Sequence, residues 1–425
     1  MTPSGKLIYQ ELESSSDFFD LTEEAHQKKL LILANKLYCL TEVSTEFYKK
    51  MIKEVRRPLE FRLAIKLVES RRYLLSLNKP LTIGVVFAMW GEHNRLNVKS
   101  VTNPHGEDSL RTKINQLNWI TKGTSVDWHL YPVDDGCPHN SVGIAKNILA
   151  SHADKNKVTV LALQDAIPTE SGPLQNLYHV DDSRKGGAII YGCEVALKDN
   201  VDCVVYTDAD NSVHLGQLGL LIEPYIKNDY QVVLGNRKHP DSILVKQEER
   251  WGVGIKTLRH MQRMIGQEIF TKGIKDTQAA FKLYGNAALR KIVKTPTVYD
   301  FSFDTDWILA AMEINQSITT VPFAFIDSAA ESASIVQGPM TTWYTLLDGL
   351  VKAVRARHAA HSTEMADVFE REILSHEDLE LIINSVPPEL INAQDSDLGD
   401  PNVMSPKAIE QWLITMKSPQ TQSVT

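Results

Sequence analysis

After Pro80 the chain falls into an alternation that few folds can satisfy. Short β-rich runs (LTIGVVFAM, VDWHLYPV, KVTVLAL, DCVVYTDAD, YQVVLG) are separated by helical patterns (TKINQLNWI, SVGIAKNILASHA, KGGAIIYGCEVAL, HLGQLGLLIEPYI). Strands spaced by helices of this length are βαβ units, because a parallel pair needs a crossover and a helix supplies it. The expectation is an α/β domain with a mostly parallel sheet flanked by helices. Right-handed crossovers set the C-terminal ends of the strands along one edge, where ligands of such sheets bind. Polar residues at those ends are therefore the candidates for chemistry.

The flanks read differently. Residues 1–80 are helical in pattern, and Tyr48–Arg72 carries nine basic and three acidic residues. From Trp251 the chain again reads as helical, with a break at Lys272-Gly273 and one late strand, SITTVPFAFID. After Met340 it is helical and acidic. The spacing predicts a helical N-terminal region over 1–80, the α/β domain over 81–340 and a helical acidic region over 341–425. From His361 onward twelve acidic residues face three basic ones, so the net charge of −8 belongs to that end. The remaining chain is close to neutral, which gives no electrostatic case for nucleic acid. Four scattered cysteines without a CxxC pair argue against a disulfide scaffold or a Cys-based zinc site, and fit a reducing compartment. No apolar run approaches the ~18–20 residues that span a bilayer, and the N-terminus is polar and acidic rather than a signal peptide. A soluble, cytoplasmic protein is expected.

Five segments carry chemistry. VVYTDADNS ends a buried strand in Asp208-Ala209-Asp210, and strand alternation points both carboxylates the same way. Like charges so close favour a cation between them, and hard oxygen ligands suit Mg²⁺ or Mn²⁺ with substrate phosphates. A solvated loop is the plainer reading of D-x-D alone. LYPVDDGCP ends a second strand in Asp134-Asp135-Gly136, either a nucleoside-binding pair or a simple Asp-Gly turn. Ser183-Arg184-Lys185-Gly186-Gly187-Ala188 opens a helix. It is an anion site or a glycine-rich helix start, and not a Walker A loop. Asp276, Thr277 and Gln278 precede an apolar stretch, and Asp304 and Asp306 precede a helix. In both segments a helix cap is the simpler reading.

Taken in order, these segments resemble the family 2 glycosyltransferases, in particular the polyprenyl (dolichyl) phosphate glucosyl- and mannosyltransferase branch. The branch's P-A-Y-N-E corresponds to Ala88-Met89-Trp90-Gly91-Glu92, with Arg95 and Leu96 in step. V-D-D-G is intact at Val133–Gly136, and D-A-D at Asp208–Asp210. G-K-G-A-A corresponds to Arg184–Ala188, and G-S-R to Gly235-Asn236-Arg237. R-D-T-Q-C-G-F-K-L is the most specific match, as Lys275–Leu283. F-D-x-E appears as Phe303–Asp306. The resemblance covers roughly residues 82–355. Pro and Asn of the first motif are replaced by Ala88 and Gly91, a Leu163–Val180 stretch is added, and the branch's late basic residue is missing from Asp327–Ser334, which carries Glu331 instead.

The resemblance implies a GT-A (Rossmann-like) fold and inverting transfer of a hexose from a nucleotide-diphosphate sugar, of the UDP-glucose or GDP-mannose type. Donor contacts would fall to Ala88, Trp90, Glu92, Asp134, Asp135, Arg184, Lys185, Asp208, Arg237 and Gln278. Asp208 and Asp210 would hold Mg²⁺ or Mn²⁺. Asp306, Asp304 and Asp276 would be candidates for the base that a hydroxyl acceptor needs. A small-molecule, glycan or protein acceptor is expected, with peripheral membrane contact through the basic Lys49–Arg72 stretch left open. A sugar-nucleotidyltransferase and a catalytically inactive nucleotide-sugar-binding module are the alternatives.

Overall fold

The structure, a computed structural model, describes residues 2–20, 22–54, 57–245, 252–327 and 338–418. Its strands are β1 (Leu81–Met89), β2 (Val126–Asp134), β3 (Leu161–Ala162), β4 (Cys203–Thr207), β5 (Val232–Gly235), β6 (Ile243–Val245), β7 (Phe281–Gly285), β8 (Ile318–Val321) and β9 (Ala324–Ile326). Seven of them form one sheet in the order β3-β2-β1-β4-β7-β5-β8, and β6 pairs with β9 apart from it. β1 lies between β2 and β4 and is parallel to both, with Met89 opposite Asp134 and Val86 opposite Tyr206. β7 alone runs antiparallel, between β4 and β5.

Ile83, Val85, Val86, Phe87 and Met89 of β1 are all buried, the continuous apolar run that a strand covered on both faces requires. Helices Ser109–Thr121 and Leu218–Asn228 close the core with Leu110, Ile114, Leu117, Leu218 and Leu221. Burying each such side chain contributes roughly 1.5–3 kcal/mol relative to leaving it in water. Helix Gly186–Lys198 comes still nearer: a Cβ at Gly192 would stand 2.5 Å from Val86 Cγ1, so only glycine admits this approach.

The chain divides into two compact units interleaved in sequence. One comprises Met1–Gln247, Ala279–Lys294 and Gln316–Ala330; the other Glu248–Gln278, Thr295–Asn315 and Glu331–Thr425. The first holds the sheet and the helices Pro3–Ser14, Glu24–Tyr38, Thr45–Lys53 and Leu59–Leu75. Ile8, Leu12, Leu30, Leu33, Phe61 and Leu67 from these helices share one apolar cluster with Ile243, Ala324 and Ile326 of β6 and β9. Several cations of the basic stretch are engaged inside this unit. Arg72 donates to the Val43 and Leu40 carbonyls at 2.6 and 2.8 Å, Lys49 faces Glu69 at 3.4 Å, and Lys66 is buried. The second unit is helical. In it the His260 ring accepts from Gly399 N and meets the Met404 carbonyl, both at 2.9 Å.

Three departures from the sequence reading have physical causes. The run KVTVLAL gives only the two residues of β3 plus a bridge between Val158 and Leu130. SITTVPFAFID splits into β8 and β9 at Pro322-Phe323, since proline has no N–H to give a ladder. β7 falls within the stretch whose pattern reads as helical from Trp251 onward. Lys282 is wholly buried there, donating to the Ala279 carbonyl at 2.6 Å with its ammonium 5.3 Å from the Tyr206 ring.

Candidate active site

The parallel register brings the ends of β1, β2 and β4 to one edge of the sheet, as the βαβ pattern requires. Asp135 N donates to the Met89 carbonyl at 3.0 Å, which locks the β2 exit against the β1 exit. Cys137 reinforces the join: its Sγ accepts from Gly91 N and Ser141 Oγ, each at 3.2 Å. Ala88 is half-buried in β1, and Trp90 just beyond it is 37% exposed. Glu92 turns inward, buried against Arg95 Nη1 at 2.8 Å. Burial outweighs that cation and lifts its carboxyl to about 7.

Asp134 and Asp135 are both buried but do different work. Asp134 Oδ2 accepts from Gly136 N and Cys137 N at 3.2 Å, while its buried Oδ1 has no partner among the described residues. Burial raises its pKa. Asp135 is already committed: Ser183 Oγ donates to Oδ1 and Lys185 N to Oδ2, both at 2.6 Å. Burial still pushes it up to about 6 against those hydrogen bonds. Gly136 has φ +74°, and a Cβ on it would meet Val180 at 2.6 Å, so the added segment lies directly on the V-D-D-G turn.

Asp135 thus ties down the 183–185 loop. Lys185 caps helix Gly186–Lys198 at φ +81°, a strained conformation for a residue with a side chain. Its Nζ pairs with Asp208 Oδ1, and Arg184 beside it is exposed. Burial alone would raise Asp208, but Lys185, helped by Arg237 and Lys113, holds it below the usual carboxylate range. Arg237 follows β5, its guanidinium 5.2 Å from the Phe325 ring. Asp210 Oδ1 accepts from Ser212 N at 3.0 Å. Asp208 and Asp210, just beyond the end of β4 at Thr207, are each half-exposed and the alanine between them is buried.

Behind this loop stands a buried charged cluster that motif reading did not find. Lys113, wholly buried, donates to the Asp210 carbonyl at 2.5 Å. Glu107 accepts from Asn211 N at 2.9 Å and from Arg95 Nε at 3.1 Å. One signal was available: Lys113 falls at a core position of the helical repeat Leu110, Ile114, Leu117.

Asp276, Gln278, Asp304 and Asp306 belong to the helical unit. Asp276 is buried, and Gln278 Nε2 reaches Thr277 Oγ1 at 3.4 Å. Asp304 and Asp306 lie in the first turn of Phe303–Glu313, both buried. Asp306 accepts from Thr297 N at 3.1 Å, Thr297 Oγ1 at 2.6 Å and Arg357 Nε at 2.5 Å. A carboxylate held by these three donors anchors the first turn of the helix. Much of the Asp327–Ser334 loop, Glu331 included, lies outside the described residues.

Among the described residues no group of three or more His, Cys, Asp or Glu is gathered that could hold a metal. Asp208 and Asp210 offer two oxygen-donor groups on one loop. That set fits Mg²⁺ or Mn²⁺ only if phosphate oxygens and water complete the shell.

Residues 107–293 match the glycosyl transferase family 2 model. The dolichyl-phosphate beta-glucosyltransferase of Dictyostelium discoideum is 31% identical over 146 residues, 32% of this chain; the chain spans 41% of that relative's length. Among solved structures, glucosyl-3-phosphoglycerate synthase from Mycobacterium tuberculosis in complex with UDP has a TM-score of 0.44 at 13% identity, covering 70% of this chain and 86% of that one. The same enzyme has been solved with Mn²⁺, UDP-glucose and phosphoglyceric acid. Mannosyl-3-phosphoglycerate synthase from Rubrobacter xylanophilus also has a TM-score of 0.44 at 13% identity, covering 69% of this chain and 80% of that one.

Proposed function

We propose that this chain is an inverting hexosyltransferase. It would take its sugar from a nucleotide-diphosphate donor of the UDP-glucose or GDP-mannose type and pass it to a small-molecule, glycan or protein acceptor. The observation that carries the reading is Asp134 Oδ1, a buried carboxylate oxygen without a partner, on the strand edge that also presents the D-A-D carboxylates. Burying such an oxygen is costly unless a ligand donor satisfies it, and the N–H and O–H groups of a nucleoside are such donors. Asp135 would act indirectly, holding the Lys185 backbone in place. Arg184, Lys185 and Arg237 are the cations available to a diphosphate. Asp208 and Asp210 would hold Mg²⁺ or Mn²⁺, which when bound offsets the charge developing on the leaving diphosphate.

With Asp306 committed to Arg357, Asp304 and Asp276 are the carboxylates proposed to take the acceptor proton. No helix among the described residues is long and apolar enough to cross a membrane. The segment over the V-D-D-G turn would wall the acceptor side, which favours a soluble acceptor. The test is incubation of the purified chain with Mn²⁺ and labelled UDP- or GDP-hexose, followed by separation of water-soluble and lipid extracts. Hexose released or transferred supports the reading, and label in the lipid fraction alone replaces the acceptor. Hydrolysis at the pyrophosphate bond would favour a nucleotidyltransferase, and binding without turnover an inactive module.

A further inference from the structure

Two charged side chains grip opposite ends of one peptide group. Lys113 Nζ donates to the carbonyl of Asp210, and the Glu107 carboxylate accepts from the N–H of Asn211 at 2.9 Å. These are the C=O and N–H of a single Asp210–Asn211 peptide. The Glu107 carbonyl also accepts from Asn211 Nδ2 at 3.0 Å. Because a peptide is planar, clamping both ends fixes its rotation, and with it the ψ of Asp210. Glu107 and Lys113 are 3% and 0% exposed, and Arg95 buttresses Glu107 at 3.1 Å. Hydrogen bonds to charged groups are the strong ones, and more so away from water. A loop needing only to be stable could be held by neutral groups. Burying two opposite charges for one peptide is hard to account for by stability alone, since buried ion pairs contribute little net stability.

We propose that Glu107 and Lys113 are positioning residues that set the direction of the Asp210 carboxylate, and so the affinity of the D-A-D loop for a divalent cation carried by a diphosphate. This rests on the glycosyltransferase reading above. Segment 107–113 would therefore tune the donor site while touching neither sugar nor base.

The experiment uses the full chain and titrates Mn²⁺ by electron paramagnetic resonance, alone and with UDP or GDP, before any turnover is measured. Lys113→Met keeps the length of the side chain and removes the donor; Glu107→Gln keeps an acceptor and weakens the Arg95 pair. Lys113→Met is expected to weaken Mn²⁺–nucleotide binding about tenfold, and Glu107→Gln about threefold. High Mn²⁺ should restore kcat in both. Lower melting temperature with unchanged Mn²⁺ affinity in both variants would overturn the proposal, leaving the glycosyltransferase reading intact. A wild-type chain that binds neither Mn²⁺ nor nucleotide overturns both. Should Lys113→Met not fold, Glu107→Gln decides alone: unchanged Mn²⁺ affinity overturns the proposal.

Discussion

The chain contains D-x-D three times, and the copies at Asp208–Asp210 and Asp304–Asp306 have opposite fates. Asp208-Ala209-Asp210 follows a strand that ends at Thr207, and both carboxylates stay half-exposed around a buried alanine. Asp304-Thr305-Asp306 opens a helix, where residues two apart diverge around the axis. There Asp306 is driven inward onto Arg357 and Thr297. Spacing alone therefore says nothing about a shared ligand. The backbone on which the spacing is mounted decides whether two charges stay at the surface or are buried as separate packing contacts.

The sharpest way to break this contrast is to remove one member of each pair. Asp210→Ala should lower donor turnover by about 10³-fold, roughly 4 kcal/mol of lost charge stabilisation, with melting behaviour preserved. Turnover within tenfold of wild type in saturating Mn²⁺ would erase the distinction. Asp306→Ala should do the reverse. It strands Arg357 without one of its partners and should destabilise the helical unit by about 3 kcal/mol in chemical denaturation. A variant as stable as wild type but inactive would return Asp306 to the list of bases.

The smallest effect concerns pH and a third carboxylate. Asp135 titrates near 6 when folded, above its unfolded value. The folded state therefore holds the proton more tightly, and stability from this group is complete below about pH 4 and lost as pH rises through about 6. Asp135→Asn should flatten that decline. An identical slope in wild type and variant between pH 4 and 6 would show that Asp135 is not its source.

Legibility in the sequence followed the range of the interaction. β1, β2, β4 and β5 announced themselves because burial on both faces writes an apolar run into adjacent residues. β7 did not: its buried Lys282 is satisfied by the Ala279 carbonyl and the Tyr206 ring, and composition cannot show the latter neighbour. The site divided likewise. Asp134, Asp135, Asp208 and Asp210 were found because strand ends on one edge are a topological consequence of βαβ order. What each carboxylate holds was not legible, since Asp135 meets Ser183 across 48 residues and Glu107 meets Asn211 across 104. Glu92 pairs with Arg95 only three residues on, within reach of local reading, whereas Asp306 meets Arg357 across 51 residues, a pairing that only the fold supplies.

The apolar cluster joining the first four helices to Ile243, Ala324 and Ile326 has a consequence in time. A ribosome emits the N-terminal helices first, yet the surface that covers them is completed only by β9, some 260 residues beyond Leu67. At ~5–20 residues per second that is a wait on the order of 10–50 s. Until Ile243 of β6 emerges, Leu30, Leu33, Phe61 and Leu67 have neither covering strand to close against, and until Ala324 the cover is incomplete. These helices are thus made well before the strands that finish their cover, and nascent chains halted before Ala324 should be protease-sensitive there.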